Sequence, residues 1–98
     1  MPIPQQIDKP AYNEEFRICD FSNILGTDTI VMPSAVIYDS LGVDMSATMI
    51  SDVTVYTGNK GVRYKLKGGT AGNSYNLSVR ATTTTGQKFE EPFTVCIS

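Results

Sequence analysis

The chain has 98 residues, of which 41% are apolar and 18% charged, and its net charge is −2. This composition is typical of one folded domain, which at such a length is only modestly stable by itself, and no apolar run approaches the ~20 residues of a membrane-spanning helix. The chain has no histidine, which excludes Ser-His-Asp and Cys-His nucleophilic pairs and histidine zinc sites. The slightly acidic balance argues against a nucleic-acid partner, because nucleic-acid-binding domains are usually basic.

The N-terminal segment is rich in proline, with Pro2, Pro4 and Pro10. Proline opposes both helices and central strands, so we expect residues 1–10 to form an extended arm and residues 11–98 to form a single domain. The arm is either a disordered terminus or a segment that lies across a neighbouring subunit, and its removal should leave the melting temperature nearly unchanged. No basic stretch precedes an apolar run here, so we expect no secretory signal and synthesis in the cytoplasm.

The first predicted strand covers residues 12–20, where polar and apolar side chains alternate, with Phe16 and Ile18 as the inward pair. This alternation predicts that one face of the strand packs against a second layer. Turn-forming residues then surround Ile24 and Leu25, which we expect to close one end of the core within a single helical turn.

A second strand is predicted over residues 29–38, which are mostly β-branched or apolar. Pro33 interrupts this strand, so it should carry a bulge or lie at the edge of its sheet. Residues 43–50 predict a further short strand, because apolar side chains alternate from Met45 to Met49.

Residues 53–56 and 62–66 flank a loop with two glycines and an asparagine, which predicts a hairpin. Alternation along its second strand places Arg63, Lys65 and Lys67 on one face, opposite an apolar face. Such a row of cations is typical of a solvated strand face.

The last third of the chain has the clearest strand pattern, two long alternating segments around a polar turn. Their shared inward face carries Tyr75, Leu77, Val79, Ala81, Phe93, Val95 and Ile97. Tyr75 is either a tyrosine corner, whose hydroxyl bonds to the upstream backbone, or a core tyrosine. Short strands that recur without helical periodicity predict an all-β, immunoglobulin-like or fibronectin III-like sandwich of six to seven strands with the N-terminal arm.

No pattern of catalytic, cofactor-binding or metal-binding residues is present. The aspartates stand in separate turns, without the spacing of a calcium loop. The glutamates at 14–15 and 90–91 would meet only if the terminal strands pair, and they are better explained as charges that protect sheet edges. Cys19 and Cys96 are expected to be free thiols, although a bridge stays open if the ends of the first and last strands meet.

Several motifs together resemble a known family. They are Asp20-Phe-Ser, Leu25-Gly-Thr-Asp-Thr-Ile30, Leu66-Lys-Gly-Gly-Thr-Ala-Gly72, Tyr75-Asn-Leu77 and Arg80-Ala-Thr-Thr-Thr-Thr-Gly86. In this order they resemble small structural proteins of tailed bacteriophages, the phage fiber-tail adaptor proteins, over about residues 12–97. The chain departs from the family pattern at Phe21, where tryptophan is more usual, at residues 56–59 and at both cysteines.

The resemblance implies a virion component with an immunoglobulin-like fold, no catalytic residues and no cofactor or metal. Its implied partners are tail, fibre or capsid subunits, bound in multiple symmetric copies after synthesis in the host cytoplasm, with no nucleic acid and no membrane. Tail adaptor and capsid decoration protein both stay open. The candidate contact residues lie on the arm, the basic hairpin and the threonine-rich strand end: Pro2, Ile3, Pro4, Ile7, Arg63, Lys65, Lys67, Thr82 and Thr84.

The alternative is a carbohydrate-binding or adhesive immunoglobulin-like module of a bacterial surface protein. Such a module would expose an aromatic platform, for which Tyr12, Tyr38, Tyr56 and Tyr64 are the candidates. The absence of tryptophan weakens this alternative. An enzyme is the least favoured class.

Overall fold

The computed structural model of the protein describes residues 5–56 and 58–98. Within these residues the chain forms seven strands and two single-turn helices. In chain order they are β1 (Gln5–Lys9), β2 (Glu15–Asp20), α1 (Ser22–Leu25), β3 (Ile30–Asp39), α2 (Ser46–Met49), β4 (Ile50–Tyr56), β5 (Gly61–Leu66), β6 (Ser74–Thr83) and β7 (Lys88–Ile97).

The strands form two sheets. One has four strands in the order β1-β7-β6-β3, and the other has three strands in the order β2-β5-β4. Neighbouring strands are antiparallel except β1 and β7, which are parallel. The two sheets enclose a continuous apolar core, so the predicted all-β sandwich is confirmed, with seven strands.

The hairpin of β6 and β7 forms the centre of the core. Tyr75 pairs with Val95 and Leu77 pairs with Phe93, and the predicted inward face of both strands is buried. The Tyr75 hydroxyl accepts a 3.0 Å hydrogen bond from the backbone N–H of Thr70, and this bond lowers the pKa of Tyr75. Tyr75 therefore bonds to the upstream backbone, as a tyrosine corner does, and holds the preceding glycine-rich loop.

The N-terminal segment differs from the prediction. Gln5–Lys9 is not an arm outside the sandwich but forms β1, which pairs with residues 93–97 of β7 and buries Ile7. None of these five residues is proline, so the backbone donors that edge pairing needs are all present. The boundary predicted at residue 10 is therefore corrected, because the sandwich includes residues 5–9.

Lys9 is the one charged residue that is completely buried in the described part of the chain. Its Nζ donates hydrogen bonds to the carbonyl oxygens of Pro10 and Gly68, each at 2.9 Å, and of Ala11 at 3.4 Å. Burial lowers the pKa of Lys9, and the nearby carboxylate of Glu15 opposes this shift. These bonds fasten β1 to the glycine-rich loop.

Strand β2 faces the opposite way to the prediction. Phe16 and Ile18 are each 48% exposed, whereas Cys19 is buried, and so is Phe21 just beyond the strand. Because side chains alternate along a strand, inward Cys19 and Phe21 turn Phe16 and Ile18 outward. Both faces of β2 carry apolar residues, so the alternation alone did not identify the inward one.

The predicted features of β3 and of the basic hairpin are confirmed. Strand β3 lies at the edge of its sheet and has a register shift between Ile30 and Met32, next to Pro33. Strands β4 and β5 pair as the predicted hairpin, and Gly58 and Asn59 in their loop both have positive φ, which suits these two residue types.

The strand predicted over residues 43–50 is wrong over most of its length, although Asp44 forms a single antiparallel bridge with Tyr38 of β3. Helix α2 occupies residues 46–49, and β4 begins only at Ile50. The Asp44 carboxylate accepts a 2.8 Å hydrogen bond from the backbone N–H of Ser46, a local contact that favours a turn over a strand.

Candidate partner-binding site

The outward side of the three-stranded sheet carries a group of apolar and basic side chains. They are Phe16 and Ile18 of β2, Arg63 and Lys65 of β5, and Tyr56 of β4. Phe16 pairs with Lys65 and Ile18 pairs with Arg63, so these side chains lie next to each other across the strands. We call these five residues the basic-aromatic face.

Arg63 is the charged centre of the basic-aromatic face. Its Cζ atom lies 3.9 Å from the centroid of the Phe16 ring, which is a cation–π contact. The Nζ of Lys65 is farther from this ring, at 5.6 Å, and forms an ion pair with Glu14 at 3.4 Å. Among the residues that the structure describes, no carboxylate forms an ion pair with Arg63. An aromatic ring therefore holds this guanidinium in place.

A cleft of about 400 Å³ opens on the same face, between Ile18 and Tyr56. Its floor is Gly61, which pairs with Asp20 on one side and with Tyr56 on the other. Side chains two apart on a strand share a face, so Gly61 belongs to the same outward row as Arg63. Glycine leaves a gap in this row, and the backbone of β5 becomes the bottom of the cleft.

The two charged groups at the rim of the cleft are already hydrogen-bonded within the chain. The Nζ of Lys60 donates to the carbonyl oxygens of Gly26 and Asp28, at 2.5 and 2.6 Å. The Asp20 carboxylate accepts a 2.8 Å hydrogen bond from the backbone N–H of Ser22, and this bond lowers the pKa of Asp20. Asp20 therefore stays ionised at neutral pH while it accepts a hydrogen bond from the first residue of α1.

The structure brings together two of the three basic residues that the sequence analysis singled out. Arg63 and Lys65 lie on the basic-aromatic face. Lys67 directly follows the last residue of β5, and its side chain is half-buried. Its backbone N–H donates a 2.9 Å hydrogen bond to the carbonyl of Met49, so this residue links the chain after β5 to α2.

The predicted threonines belong to the other sheet. Thr82 lies in β6, and Thr84 follows in the turn before β7. The hydroxyls of Thr84 and Thr29 are 2.7 Å apart, and the neighbouring Thr85 hydroxyl donates to the Asp28 carboxylate at 2.6 Å. These bonds connect loops at one end of the sandwich, and neither threonine joins the basic-aromatic face.

The candidate contact residues of the N-terminal segment divide into two sets. Pro2, Ile3 and Pro4 lie outside the described residues. Ile7 is only 8% exposed and is part of the core. Its prediction as a partner contact is therefore corrected, because pairing of β1 with β7 turns this side chain inward.

Strand pairing does not join the glutamate pairs, and the cysteines form no bridge. Residues 14–15 lie at β2 and residues 90–91 lie in β7, and these strands belong to different sheets. Cys19 and Cys96, in the same two strands, are free thiols. Over residues 5–56 and 58–98, no three metal-ligating side chains come together.

The four tyrosines considered as a sugar platform lie apart. Tyr64 is buried in the core, Tyr12 lies in the connection between β1 and β2, and Tyr38 and Tyr56 belong to different sheets. A sugar platform needs neighbouring exposed rings on one surface. These tyrosines do not form such a surface.

Sequence reasoning missed Phe16 and Ile18 as surface residues because it assigned them to the core. The available signal was Cys19 together with Phe21, which continue the opposite face of β2 into an aromatic residue. The approach of Tyr56 to Ile18 has no local signal, since it depends on β5 lying between β2 and β4.

Comparison with known proteins confirms the resemblance that the motifs indicated. The family model described as podophage GP4 fiber-tail adaptor protein gp77 matches residues 16–96. A search of the curated proteins finds no match. The matched residues run from β2 to β7 and include the whole basic-aromatic face. Because the match covers most of the chain, the protein belongs to the family of the podophage GP4 fiber-tail adaptor protein gp77.

Proposed function

We propose that this protein is a structural subunit of a podophage virion that connects the tail to its fibres. The observation that carries the proposal is the family match over residues 16–96. The proposed partners are tail and fibre subunits. A small domain of this kind would be present in several copies, as is usual in symmetric assemblies.

The exposed surface supports a role in binding other proteins. Phe16 and Ile18 each leave 48% of their surface exposed, and complete burial of such a side chain is worth about 1.5–3 kcal/mol. Aromatic residues and arginine are also the types enriched at the centres of protein interfaces. A neighbouring virion subunit on the basic-aromatic face would therefore stabilise a domain that is small by itself.

The proposed role requires no catalysis, cofactor or metal. The chain lacks histidine, and carboxylates such as Glu14 and Glu90 form ion pairs with Lys65 and Arg80. No helix in the described part of the chain is long and apolar enough to cross a membrane. We propose that the protein is made in the host cytoplasm and acts in the virion, without a nucleic-acid or membrane partner.

Two places in the virion fit a small binding domain, the joint between tail and fibre and the surface of the capsid. The family description favours the joint, because it refers to a fiber-tail adaptor. The sandwich itself is compatible with both places, since one fold serves many roles. The capsid position is therefore an outcome that the experiment must be able to detect.

The test is a phage in which a stop codon interrupts the gene for this chain. Purified particles would be analysed by quantitative mass spectrometry, with wild-type particles and a complemented mutant as controls. We expect the mutant particles to retain capsid and tail proteins and to lose fibre protein, and complementation to restore it. Mutant particles with a full complement of fibres would contradict the proposal, and absence of the chain from wild-type particles would exclude it.

A further inference from the structure

We propose that the basic-aromatic face binds an extended segment of another virion protein in which a large apolar residue stands two positions from an aspartate or glutamate. This inference rests on the proposed function, since an adaptor needs such a partner. It adds the surface that binds and the chemistry of the bound segment. The cleft over Gly61 and the fixed charge of Arg63 carry it.

The cleft over Gly61 provides the apolar part of this surface. Its walls are the side chains of Ile18 and Tyr56, and its floor is backbone. The rim groups Asp20 and Lys60 are engaged with acceptors and donors of their own chain. These two charged groups therefore bind water in the cleft less strongly than free charges would, and an apolar side chain that displaces this water gains the energy of burial.

Arg63 makes the surface specific for an acidic residue in the bound segment. Phe16 holds the guanidinium at 3.9 Å, so little side-chain entropy is lost when a ligand binds it. Carboxylates bind arginine through two parallel hydrogen bonds, which is the strongest pairing available to this side chain. Lys65 lies 5.6 Å from the same ring, but its charge is paired with Glu14 at 3.4 Å, so Arg63 is the cation that a ligand carboxylate would bind.

The spacing of these two features determines the sequence pattern of the partner. Gly61 and Arg63 are two residues apart in one strand, and a strand rises about 3.3 Å per residue. The backbone positions below the cleft and below Arg63 are thus separated by about 6.6 Å along β5, which is also the distance between same-side residues i and i+2 of an extended ligand. The matching pattern is apolar-x-acidic, in either chain direction.

This chain contains exposed examples of that pattern, Tyr12-Asn13-Glu14 and, in the reverse direction, Asp39-Ser40-Leu41. The Asp39 carboxylate already accepts hydrogen bonds from the backbone N–H groups of Leu41 and Val43, each at 2.9 Å. Glu14 is already paired with Lys65 of its own domain at 3.4 Å, and Asn13 donates to the Glu15 carboxylate at 2.8 Å. Either segment would have to give up its contacts within the domain to bind another copy. A different virion protein is therefore the proposed occupant.

Photocrosslinking in intact particles tests the occupant. A benzophenone amino acid would replace Tyr56 on the basic-aromatic face or, as the matched control, Ser34, which is exposed on the other sheet. We expect position 56 to crosslink to one other virion protein, at an apolar-x-acidic segment. Crosslinks from position 56 to another copy of this chain, or to a segment without an acidic residue, would overturn the inference. It would also be overturned if position 56 gave no crosslink while position 34 did.

Charge reversal tests the contribution of Arg63. We expect Arg63→Glu to reduce the amount of this chain or of fibre protein per particle by at least about tenfold, as is typical when a central interface charge is reversed. Lys88→Glu, on an exposed cation of the other sheet, should change both amounts less than about twofold. Similar melting temperatures of the two purified variants would show that folding is not the cause.

The two proposals fail in different ways. If wild-type particles contain the chain, and the Arg63→Glu variant is incorporated into particles as efficiently as the Lys88→Glu variant, the inference about the surface is wrong. The proposed adaptor function is not affected by that result. Wild-type particles without the chain would exclude the adaptor function and the surface with it.

Discussion

Lys9 and Gly68 are 59 residues apart in sequence, and the buried Nζ of Lys9 donates a 2.9 Å hydrogen bond to the Gly68 carbonyl. This contact joins the first described strand to the loop before β6. It explains how a segment bounded by prolines becomes an integral part of the sandwich rather than a free arm.

Replacement of Lys9 by methionine should destabilise the protein. Met keeps most of the volume but leaves the carbonyls of Pro10 and Gly68 without the ammonium donor. We expect the free energy of unfolding to fall by about 1–3 kcal/mol, the usual cost of such a loss. Urea unfolding followed by far-UV circular dichroism measures it, with the exposed Lys88→Met as the control, which should stay within about 0.5 kcal/mol of wild type. Equal stability of the two variants would show that the Lys9 contacts contribute nothing.

A chain that begins at Ala11 lacks β1 and should melt well below the full chain. It loses the pairing with β7 and the burial of Ile7, which alone is worth about 2 kcal/mol. For a domain of this size each kcal/mol lowers the melting temperature by about 4–8 °C, so we expect a decrease of at least about 10 °C. This is the opposite of the expectation from the proline content. If the melting temperature measured by differential scanning calorimetry fell by less than about 2 °C, residues 1–10 would be an arm, as the sequence predicted.

Tyr75→Phe removes the hydroxyl that accepts the 3.0 Å hydrogen bond from Thr70. We expect the free energy of unfolding to fall by about 0.5–1.5 kcal/mol, because the Thr70 N–H loses its hydrogen-bond acceptor. Amide hydrogen exchange of Thr70 should also become faster. Tyr12→Phe is the control, since Tyr12 is 96% exposed and its hydroxyl should contribute nothing. An unchanged exchange rate at Thr70 would mean that this bond does not hold the loop.

Ionisation of Cys19 should destabilise the protein in alkaline solution. Burial raises the pKa of its thiol from 9.0 to about 12, so between these values the unfolded chain loses a proton that the folded chain keeps. The stability from this group is complete below pH 9 and is lost as the pH rises toward 12, at about 1.4 kcal/mol per pH unit.

The control for this prediction is Cys19→Ala, which retains Tyr64 and every other group that titrates in the same range. The stability advantage of wild type over Cys19→Ala should therefore shrink as the pH rises from 9 to 12. Urea titrations at several pH values measure the difference. A constant difference would show that the thiol ionises equally well in the folded state.

The sequence predicted the parts of the fold that one strand determines by itself. The faces of β6 and β7 were predicted because their large aliphatic residues, such as Leu77 and Val79, all fall in one alternating set. In β2 both sets contain apolar residues, and the burial of Phe21 beyond the strand decides the orientation. Lys9 was not predicted as a buried residue, since its carbonyl acceptors come from distant parts of the chain.

The candidate site was predicted only in part, for the same physical reason. Alternation along β5 was sufficient to place Arg63 and Lys65 on one outward face. The ring under Arg63 and the wall formed by Tyr56 come from β2 and β4, and their positions depend on the strand order β2-β5-β4. Strand order is set by packing of the whole sandwich, which no local pattern specifies.

A cryo-EM reconstruction of the virion of a phage that encodes this chain would show directly whether the protein joins the fibres to the tail. We expect a seven-strand sandwich in repeated copies at the joint between tail and fibres, with the outward side of its three-stranded sheet covered by a neighbouring protein. A sandwich on the capsid surface, or a virion without it, would contradict the claim that this protein joins the fibres to the tail.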